Sequence, residues 1–309
     1  MTLPWTLAHL VVLFASPILV VGIINRTKAR WAGRRGPPIL QTYFDLARLL
    51  RKRPVYSATT TPVFWVAPYV LLATAAVSGL VVPLLGRGAP LSFRFDFVFF
   101  AYLWGLGRLA LMLGALDTGS AFEGMGSSRE ATFATFIEPA VFLCLGTLAS
   151  ATGGATFAQM LSFHGVDPAM VVVRAGCVVA LTLLLQVESA RMPVDDPTTH
   201  LELTMVHEVM ILDHSGPDLA AMEYGAALKL AIGSALLASL LNPFGAQSPR
   251  WVVAAANVGL WVAVAVAVGT IESTLARLRL NAIPRYLLAA LFGGVLALLA
   301  SVWRAGGAT

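Results

Sequence analysis

The sequence predicts an all-α protein that crosses a membrane about eight times. Of its 309 residues, 58% are hydrophobic and only 12% are charged, whereas an ordinary soluble domain has about 25% charged residues. The mean hydropathy is +0.78. Eight separate runs of roughly 20 residues are nearly without charge, and a helix needs that length to cross the hydrocarbon core. We therefore expect one integral membrane domain over residues 1–309, with long connecting loops.

The predicted spans follow these apolar runs in chain order. They are Trp5–Ile24, Val63–Leu85, Phe97–Leu116, Ala131–Ala151, Ala169–Val187, Ala226–Asn242, Trp251–Ile271 and Tyr286–Trp303. Spans three, four and five each contain a charged residue, namely Arg108, Glu138 and Arg174. In the first span, cations follow the apolar run and no small-residue cleavage site is evident, so we expect a retained anchor rather than a cleaved signal peptide.

The distribution of cations between the loops predicts the orientation. The odd-numbered loops hold fourteen Lys and Arg residues and the even-numbered loops with the C-terminal end hold four. Because cytoplasmic loops carry the excess of cations, both termini are predicted on the non-cytoplasmic side of a bacterial cytoplasmic (inner) membrane. The two long loops, a basic one over 25–62 and an acidic one over 188–225, are then cytoplasmic.

The basic loop contains nine cations between Arg26 and Arg53. Such a cluster often serves only as a topology determinant or as a contact for anionic lipids. Apolar residues recur at helical spacing within it, at Leu40, Tyr43, Phe44, Ala47 and Leu50. This pattern predicts an amphipathic helix along the lipid bilayer surface. We expect no nucleic-acid partner for a body with eight spans.

The acidic loop concentrates half of the acid of the chain. Eight of sixteen Asp and Glu residues and three of five His residues lie between Glu188 and Glu223. Ionisable groups are costly close to hydrocarbon and are usually retained there for charge movement. Proton handling is therefore the leading hypothesis, and a solvated loop surface is the alternative for any single acid.

Metal and cofactor sites are not predicted in this chain. The histidines at 200, 207 and 214 are seven residues apart, so on one helix they would be separated by about 10 Å, too far to share an ion. The two cysteines, Cys144 and Cys177, are too few for an iron–sulfur cluster. The glycines of 124–129 follow no predicted strand, so we interpret that segment as a tight turn between helices rather than a nucleotide loop.

Three segments resemble a known family. The stretch 188–218, ESARMPVDDPTTHLELTMVHEVMILDHSGPD, closely resembles the membrane-anchor subunits of formate hydrogenlyase and hydrogenase-4, which belong to the group 4 energy-converting [NiFe] hydrogenases. The shorter segments RRGP at 34–37 and GMGSSREA at 124–131 are similar to other signatures of that family. The family is related to the complex I subunit that forms the floor of the quinone chamber, and the resemblance covers essentially the whole chain.

The resemblance implies a subunit without redox centres of its own. Its expected partners are the [NiFe] hydrogenase large and small subunits and the iron–sulfur proteins of a peripheral arm, which would carry the [NiFe] and iron–sulfur centres. Antiporter-like membrane subunits are expected beside it. Complex I relatives typically continue the Arg-x-Pro step with Phe-Asp, whereas here the step at Arg191 continues with Val194-Asp195-Asp196-Pro197, which favours the hydrogenase branch. A quinone-site subunit of a complex I-type oxidoreductase and an independent secondary transporter stay open as alternatives.

Two sets of candidate functional residues follow. The predicted proton-relay residues are Glu138, Glu188, Glu202, Glu208, Asp213, Glu223 and Glu272. The predicted docking residues for the peripheral arm are Arg34, Arg35, Arg129, Arg191, Asp195 and Asp196, where Pro193 and Pro197 bracket the Asp pair in a rigid turn. A structural ion pair with Arg108 or Arg174 is the alternative for Glu138, and an exposed interfacial position is the alternative for Glu272. Asp117 and Glu123 are predicted as loop or surface groups.

Overall fold

A computed structural model describes residues 2–162, 167–195, 205–245 and 247–306. In this part of the chain all regular secondary structure is helical, and eight helices are long and apolar enough to cross a membrane, which confirms the predicted fold class and number of spans. The helices are α1 (Leu3–Trp31), α2 (Gln41–Leu50), α3 (Pro62–Val81), α4 (Asp96–Asp117), α5 (Ala121–Thr152), α6 (Phe157–Ser162), α7 (Pro168–Glu188), α8 (His207–Met210), α9 (Gly216–Leu241), α10 (Arg250–Thr274) and α11 (Ile283–Gly306), with a 3₁₀ turn at Leu280–Ala282.

Helix starts follow from local sequence. The Thr61 hydroxyl accepts a hydrogen bond from the Val63 amide at the start of α3, and the Asp167 carboxylate accepts one from the Ala169 amide at the start of α7. In both helices a proline occupies the first position, where its missing N–H costs nothing.

Some helices extend beyond the apolar runs that predicted them. Helix α5 begins at Ala121, so the predicted turn at 124–129 is wrong: these residues are helical, and Gly126 lies against α8, where a Cβ would come within 2.4 Å of Val209. Glu188 ends α7 and α9 begins at Gly216, so the acidic connection is 189–215 and Glu223 is helical. Likewise the basic connection is 32–61. Apolar runs locate the membrane-crossing part of a helix, whereas polar ends continue past the hydrocarbon.

Helix α9 lies at the centre of the bundle. Its most apolar 18-residue stretch is 83% buried, against 33–50% in the other seven spans, and it packs on α1, α3, α7 and α10. The outer helices expose large apolar side chains such as Leu109, Val262 and Phe292, as lipid contact requires. Because each span crosses once, the connections 32–61, 118–120, 189–215 and 275–282 share one side of the membrane, which we call the basic side.

Candidate functional site

Five ionisable side chains from four spans meet inside the bundle. The guanidinium of Arg108 lies 3.1 Å from Glu130 through Nε and 3.1 Å from Glu138 through Nη1, and its Nη2 contacts an oxygen of Glu188. The other oxygen of Glu188 contacts the ammonium of Lys229. We call these residues the charge cluster.

The charge cluster is largely removed from solvent. The side chains of Arg108, Glu188 and Lys229 are 4%, 3% and 9% exposed, whereas that of Glu138 is 52% exposed. Arg108 and Lys229 lie close to the middle of α4 and α9, at a depth where charge is costly unless paired. With three carboxylates and two cations, the fully ionised cluster carries one uncompensated negative charge.

An acidic cavity of about 310 Å³ opens beside the charge cluster, between α1, α2, α9 and the acidic connection. Its carboxylates come from Asp45, Glu208 and Glu223, and Arg191 and His207 also line it. Two more lining residues are adjacent in sequence to members of the charge cluster: Ser189 follows Glu188, and Leu230 follows Lys229. At ~30 Å³ per molecule, the cavity has room for about ten waters.

Glu208 lines this cavity, and its surroundings raise the pKa of its carboxyl. Burial, followed by the negative charges of Asp195 and Glu223, raises the pKa of its carboxyl to about 7, and the positive charge of Arg191 opposes this rise. Burial also lowers the pKa of the neighbouring His207. A carboxyl with a pKa of about 7 both accepts and releases protons near neutral pH.

Towards the other membrane face, the charge cluster borders a small cavity with an apolar lining. The cavity lies between α4, α5, α7 and α9, and among its lining residues Glu188 is the one ionisable group. Leu181, Leu184 and Leu236 lie among the remaining lining residues. Small apolar cavities stay dry, so we do not expect a chain of waters in this cavity.

Glu272 is buried rather than exposed at the interface, which overturns that alternative. One of its oxygens lies 2.7 Å from the ammonium of Lys28 and the other lies 3.5 Å from Nη1 of Arg191. The residue therefore ties α10 to α1 and to the acidic connection, while a relay role stays a prediction. The prediction that Glu123 is a surface group is wrong: it is buried and accepts a hydrogen bond from the Asp213 amide at 3.1 Å.

Asp195 lies inside the protein rather than on a docking surface. Its carboxylate accepts hydrogen bonds from the amides of Val206 and His207 at 3.1 and 3.0 Å and pairs with Arg277 at 3.6 Å. These contacts support the expected loop-shaping role and place the carboxylate out of reach of a partner. Arg129 similarly donates to the Met205 carbonyl at 2.7 Å.

The remaining predicted residues divide between the surface and the undescribed part of the chain. Arg34 and Arg35 are exposed on the basic side, as docking requires. Asp196 and Glu202 lie outside the described residues. Within the described residues no group of three His, Cys, Asp or Glu side chains is arranged to hold a metal ion.

Sequence reasoning missed Lys229, Glu130 and Asp45. Lys229 had a usable signal, because it is a cation within the otherwise apolar sixth span. Glu130 precedes the apolar run of its helix, and Asp45 lies on the short helix α2. Nothing in the sequence around Glu130 or Asp45 distinguishes it from a solvent-exposed acid.

The fold and the site define a polytopic membrane protein with ionisable groups buried inside the helical bundle. The chain belongs to the family described as NADH dehydrogenase, whose sequence profile matches residues 5–303.

Named relatives agree with this assignment. Formate hydrogenlyase subunit 4 of Escherichia coli (strain K12) is 28% identical over 294 residues, which cover 92% of this chain and 94% of that protein. Hydrogenase-4 component C of the same organism is 32% identical over 244 residues, which cover 78% and 76%. These matches confirm the resemblance found in the sequence motifs.

A solved structure shares the fold. The membrane-bound sulfane sulfur reductase, an archaeal respiratory membrane complex, contains a chain that superposes with a TM-score of 0.78 at 17% identity. The superposition covers 94% of this chain and 98% of that chain.

Proposed function

We propose that this chain is the membrane subunit of an energy-converting [NiFe] hydrogenase complex of the formate hydrogenlyase type. It would anchor a peripheral redox arm and couple electron transfer in that arm to proton or ion movement. The observation that supports this proposal most directly is the charge cluster, in which Glu188 lies between Arg108 and Lys229 beside an acidic cavity. The names of the two relatives support the hydrogenase assignment.

The geometry supports a relay that begins in the acidic cavity. Glu208, whose pKa is about 7, and Glu223 would exchange protons with water there. Ser189 and Leu230 bring the cavity next to Glu188 and Lys229. Glu188 would accept the proton on a carboxylate oxygen and release it to a carboxylate oxygen of Glu138, while Arg108, which contacts both acids, keeps its own protons. Only O–H bonds form and break in these steps.

The lateral surface at Glu138 is the expected exit and the expected contact with an antiporter-like membrane subunit. A half-exposed carboxylate in a membrane-spanning helix is costly when it faces lipid. Between Glu138 and the basic side, Ser128, Thr132 and Thr135 of α5 are also exposed. Pro139 has no N–H to donate to the carbonyl of Thr135. Small polar residues of this kind favour close helix packing in membranes.

The peripheral arm would dock on the basic side. Arg34 and Arg35 are exposed there, and charge complementarity orients docking partners. We infer that this side is cytoplasmic, from the positive-inside rule, which places both termini outside the cytoplasm. The [NiFe] and iron–sulfur centres would belong to the large and small subunits and the iron–sulfur proteins of the arm, and Asp196 and Glu202 stay candidate contacts or relay members.

Quinone binding is the second candidate function, since the volume of the acidic cavity reaches the lower end of the range for small-molecule sites. The three carboxylates in its lining favour water and protons over an apolar quinone ring. Inhibition of hydrogen-linked turnover by a quinone analogue, competitive with added quinone, would favour this alternative.

The test of the relay is Glu138→Gln in the intact complex, assayed in sealed vesicles. Glutamine keeps the shape but cannot titrate, so hydrogen turnover should continue while the pH gradient it generates falls severalfold. The matched control is Asp167→Asn, which removes a carboxylate paired with Arg304 at 2.7 Å, away from the charge cluster. A Glu138→Gln complex that assembles and pumps like the wild type would show that Glu138 is structural.

A further inference from the structure

An aromatic ring supports the ammonium of Lys229 inside the bundle. Nζ of Lys229 lies 5.3 Å from the centroid of the Trp104 ring, within the range of a cation–π contact. The indole N–H of Trp104 donates to the Ser78 hydroxyl at 3.1 Å, which fixes the ring plane. Trp104 is itself buried, so the contact is desolvated.

Trp104 belongs to the same helical surface as Arg108, one turn earlier on α4. Arg108 contacts one oxygen of Glu188 and Lys229 contacts the other. The ammonium of Lys229 therefore has an anion on one side and the Trp104 ring within reach. Among the described residues, Glu188 is the one hydrogen-bond acceptor recorded for this ammonium.

We propose that Trp104 is a positioning residue of the relay, whose ring holds the Lys229 ammonium in place while Glu188 carries a proton. The inference rests on the proposed function, because it assumes that Glu188 is protonated and deprotonated in each cycle. Lys229 stays an ammonium throughout, and the proton forms and breaks a bond only with the carboxylate.

The need for such a support follows from electrostatics. When Glu188 is neutral, Lys229 loses the carboxylate that contacts its ammonium, and a buried ammonium without a contacting anion is strongly disfavoured. The neighbouring acids Glu130 and Glu138 are engaged by Arg108. The adjoining cavity is apolar and provides no polar group besides Glu188 among its lining residues, apart from the indole of Trp104 itself. The π-face of Trp104 continues to stabilise the Lys229 ammonium when the Glu188 carboxylate is neutralised.

The pH dependence of this step involves every charged group around Glu188. These are Arg108 from α4, Glu130 and Glu138 from α5, Lys229 from α9, and, at longer range, Asp195 and His207 from the acidic connection. Trp104 does not titrate. Weakening its π-face therefore changes the balance between ionised and neutral Glu188 without adding or removing a titrating group.

The experiment replaces Trp104 with a series of fluorinated tryptophans in the intact complex by site-specific incorporation. Fluorination weakens the π-face while nearly preserving shape. The neutral form of Glu188 becomes harder to reach, so more acid is needed and the pH optimum of hydrogen-coupled proton movement should shift to lower pH. The expected total shift is roughly one to one and a half units, the size of a desolvated cation–π contact.

The same fluorinated series at Trp261, which is buried on α10 against α1 rather than in the charge cluster, is the matched control and should leave the pH optimum within about 0.2 units of wild type. An unshifted optimum across the fluorinated series, in complexes that assemble and pump, would overturn the role of Trp104. Failure of the proposed function would look different: Glu138→Gln would then pump normally whatever residue occupies position 104.

Discussion

Replacing Lys229 with methionine should destabilise the protein by leaving buried negative charge without its counter-ion. Lys229 and Glu188 are 9% and 3% exposed in their side chains, so solvent screening is weak. Removing one partner of a buried ion pair costs about 3–5 kcal/mol. Because Arg108 still contacts Glu188, we take the lower end, about 3 kcal/mol. For a protein of this size that lowers the unfolding midpoint by roughly 6–12 °C.

A second substitution should recover much of this loss. With Lys229→Met the ionised charge cluster holds three carboxylates against one cation, and adding Glu188→Gln returns it to one net negative charge. The glutamine amide oxygen can still accept from Arg108. We therefore expect the double variant to unfold at a higher temperature than Lys229→Met alone, although it should no longer couple hydrogen turnover to proton movement.

The assay is thermal unfolding of the purified chain in detergent, together with pH-gradient formation by the assembled complex in vesicles. Arg48→Met is the control, since Arg48 pairs with Asp45 at 3.6 Å in an exposed position, where ion pairs contribute about 0–1 kcal/mol. The reasoning is refuted if Lys229→Met and Arg48→Met unfold at the same temperature, or if the double variant is no more stable than Lys229→Met.

Three further predictions concern the acidic cavity, docking and the lateral surface. Glu208→Gln should remove an inflection near pH 7 from coupled turnover, because the pKa of Glu208 is about 7 and its carboxyl is mainly protonated below that pH and ionised above it. Neutralising Arg34 and Arg35 together should release the peripheral arm from membranes while this chain stays inserted. Thr135→Cys, labelled with a thiol-reactive photo-cross-linker, should join α5 to a neighbouring membrane subunit in the intact complex on illumination.

Each of these predictions has a matched comparison. Asp218→Asn should keep the inflection, since Asp218 is buried and bound by the Tyr69 hydroxyl at 2.8 Å; loss in both variants would remove the special role of Glu208. Full membrane-bound hydrogenase activity after the double Arg substitution would contradict docking at that site. Equal labelling of Thr135→Cys by a membrane-permeable maleimide in the isolated chain and in the complex would show that no subunit covers α5.

The sequence predicted the fold well because membrane insertion imposes a one-dimensional rule. An apolar run of sufficient length must be a helix, since lipid provides no partner for backbone groups, and all eight such runs correspond to spans. The ends of α5 and α9 were not predicted, because the polar residues beyond the hydrocarbon can continue a helix or leave it. In these segments tertiary packing determines whether the helix continues, as where α8 approaches Gly126.

The site was only partly predictable, because its contacts join residues far apart in the chain. The acidic stretch was recognised, but its members serve different purposes: Asp195 binds backbone amides, Glu208 and Glu223 line the acidic cavity, and Glu188 contacts Arg108. Local composition marks such a stretch as unusual without distinguishing these positions. Lys229 became informative only when folding placed it against Glu188.

The net charge of the charge cluster bears on its proposed function. If the cluster held equal numbers of cations and carboxylates, every charge would be compensated and no proton would be needed for neutrality. If it held no cation, the buried acids would be neutral. The observed excess is one negative charge, so a single proton neutralises the whole cluster. In the proposed relay that proton would enter from the acidic cavity, whose lining includes Ser189 next to Glu188, and would leave at the half-exposed carboxylate of Glu138. Arg108 contacts both Glu188 and Glu138 and would keep its own protons while the transferred proton moves between the two carboxylates.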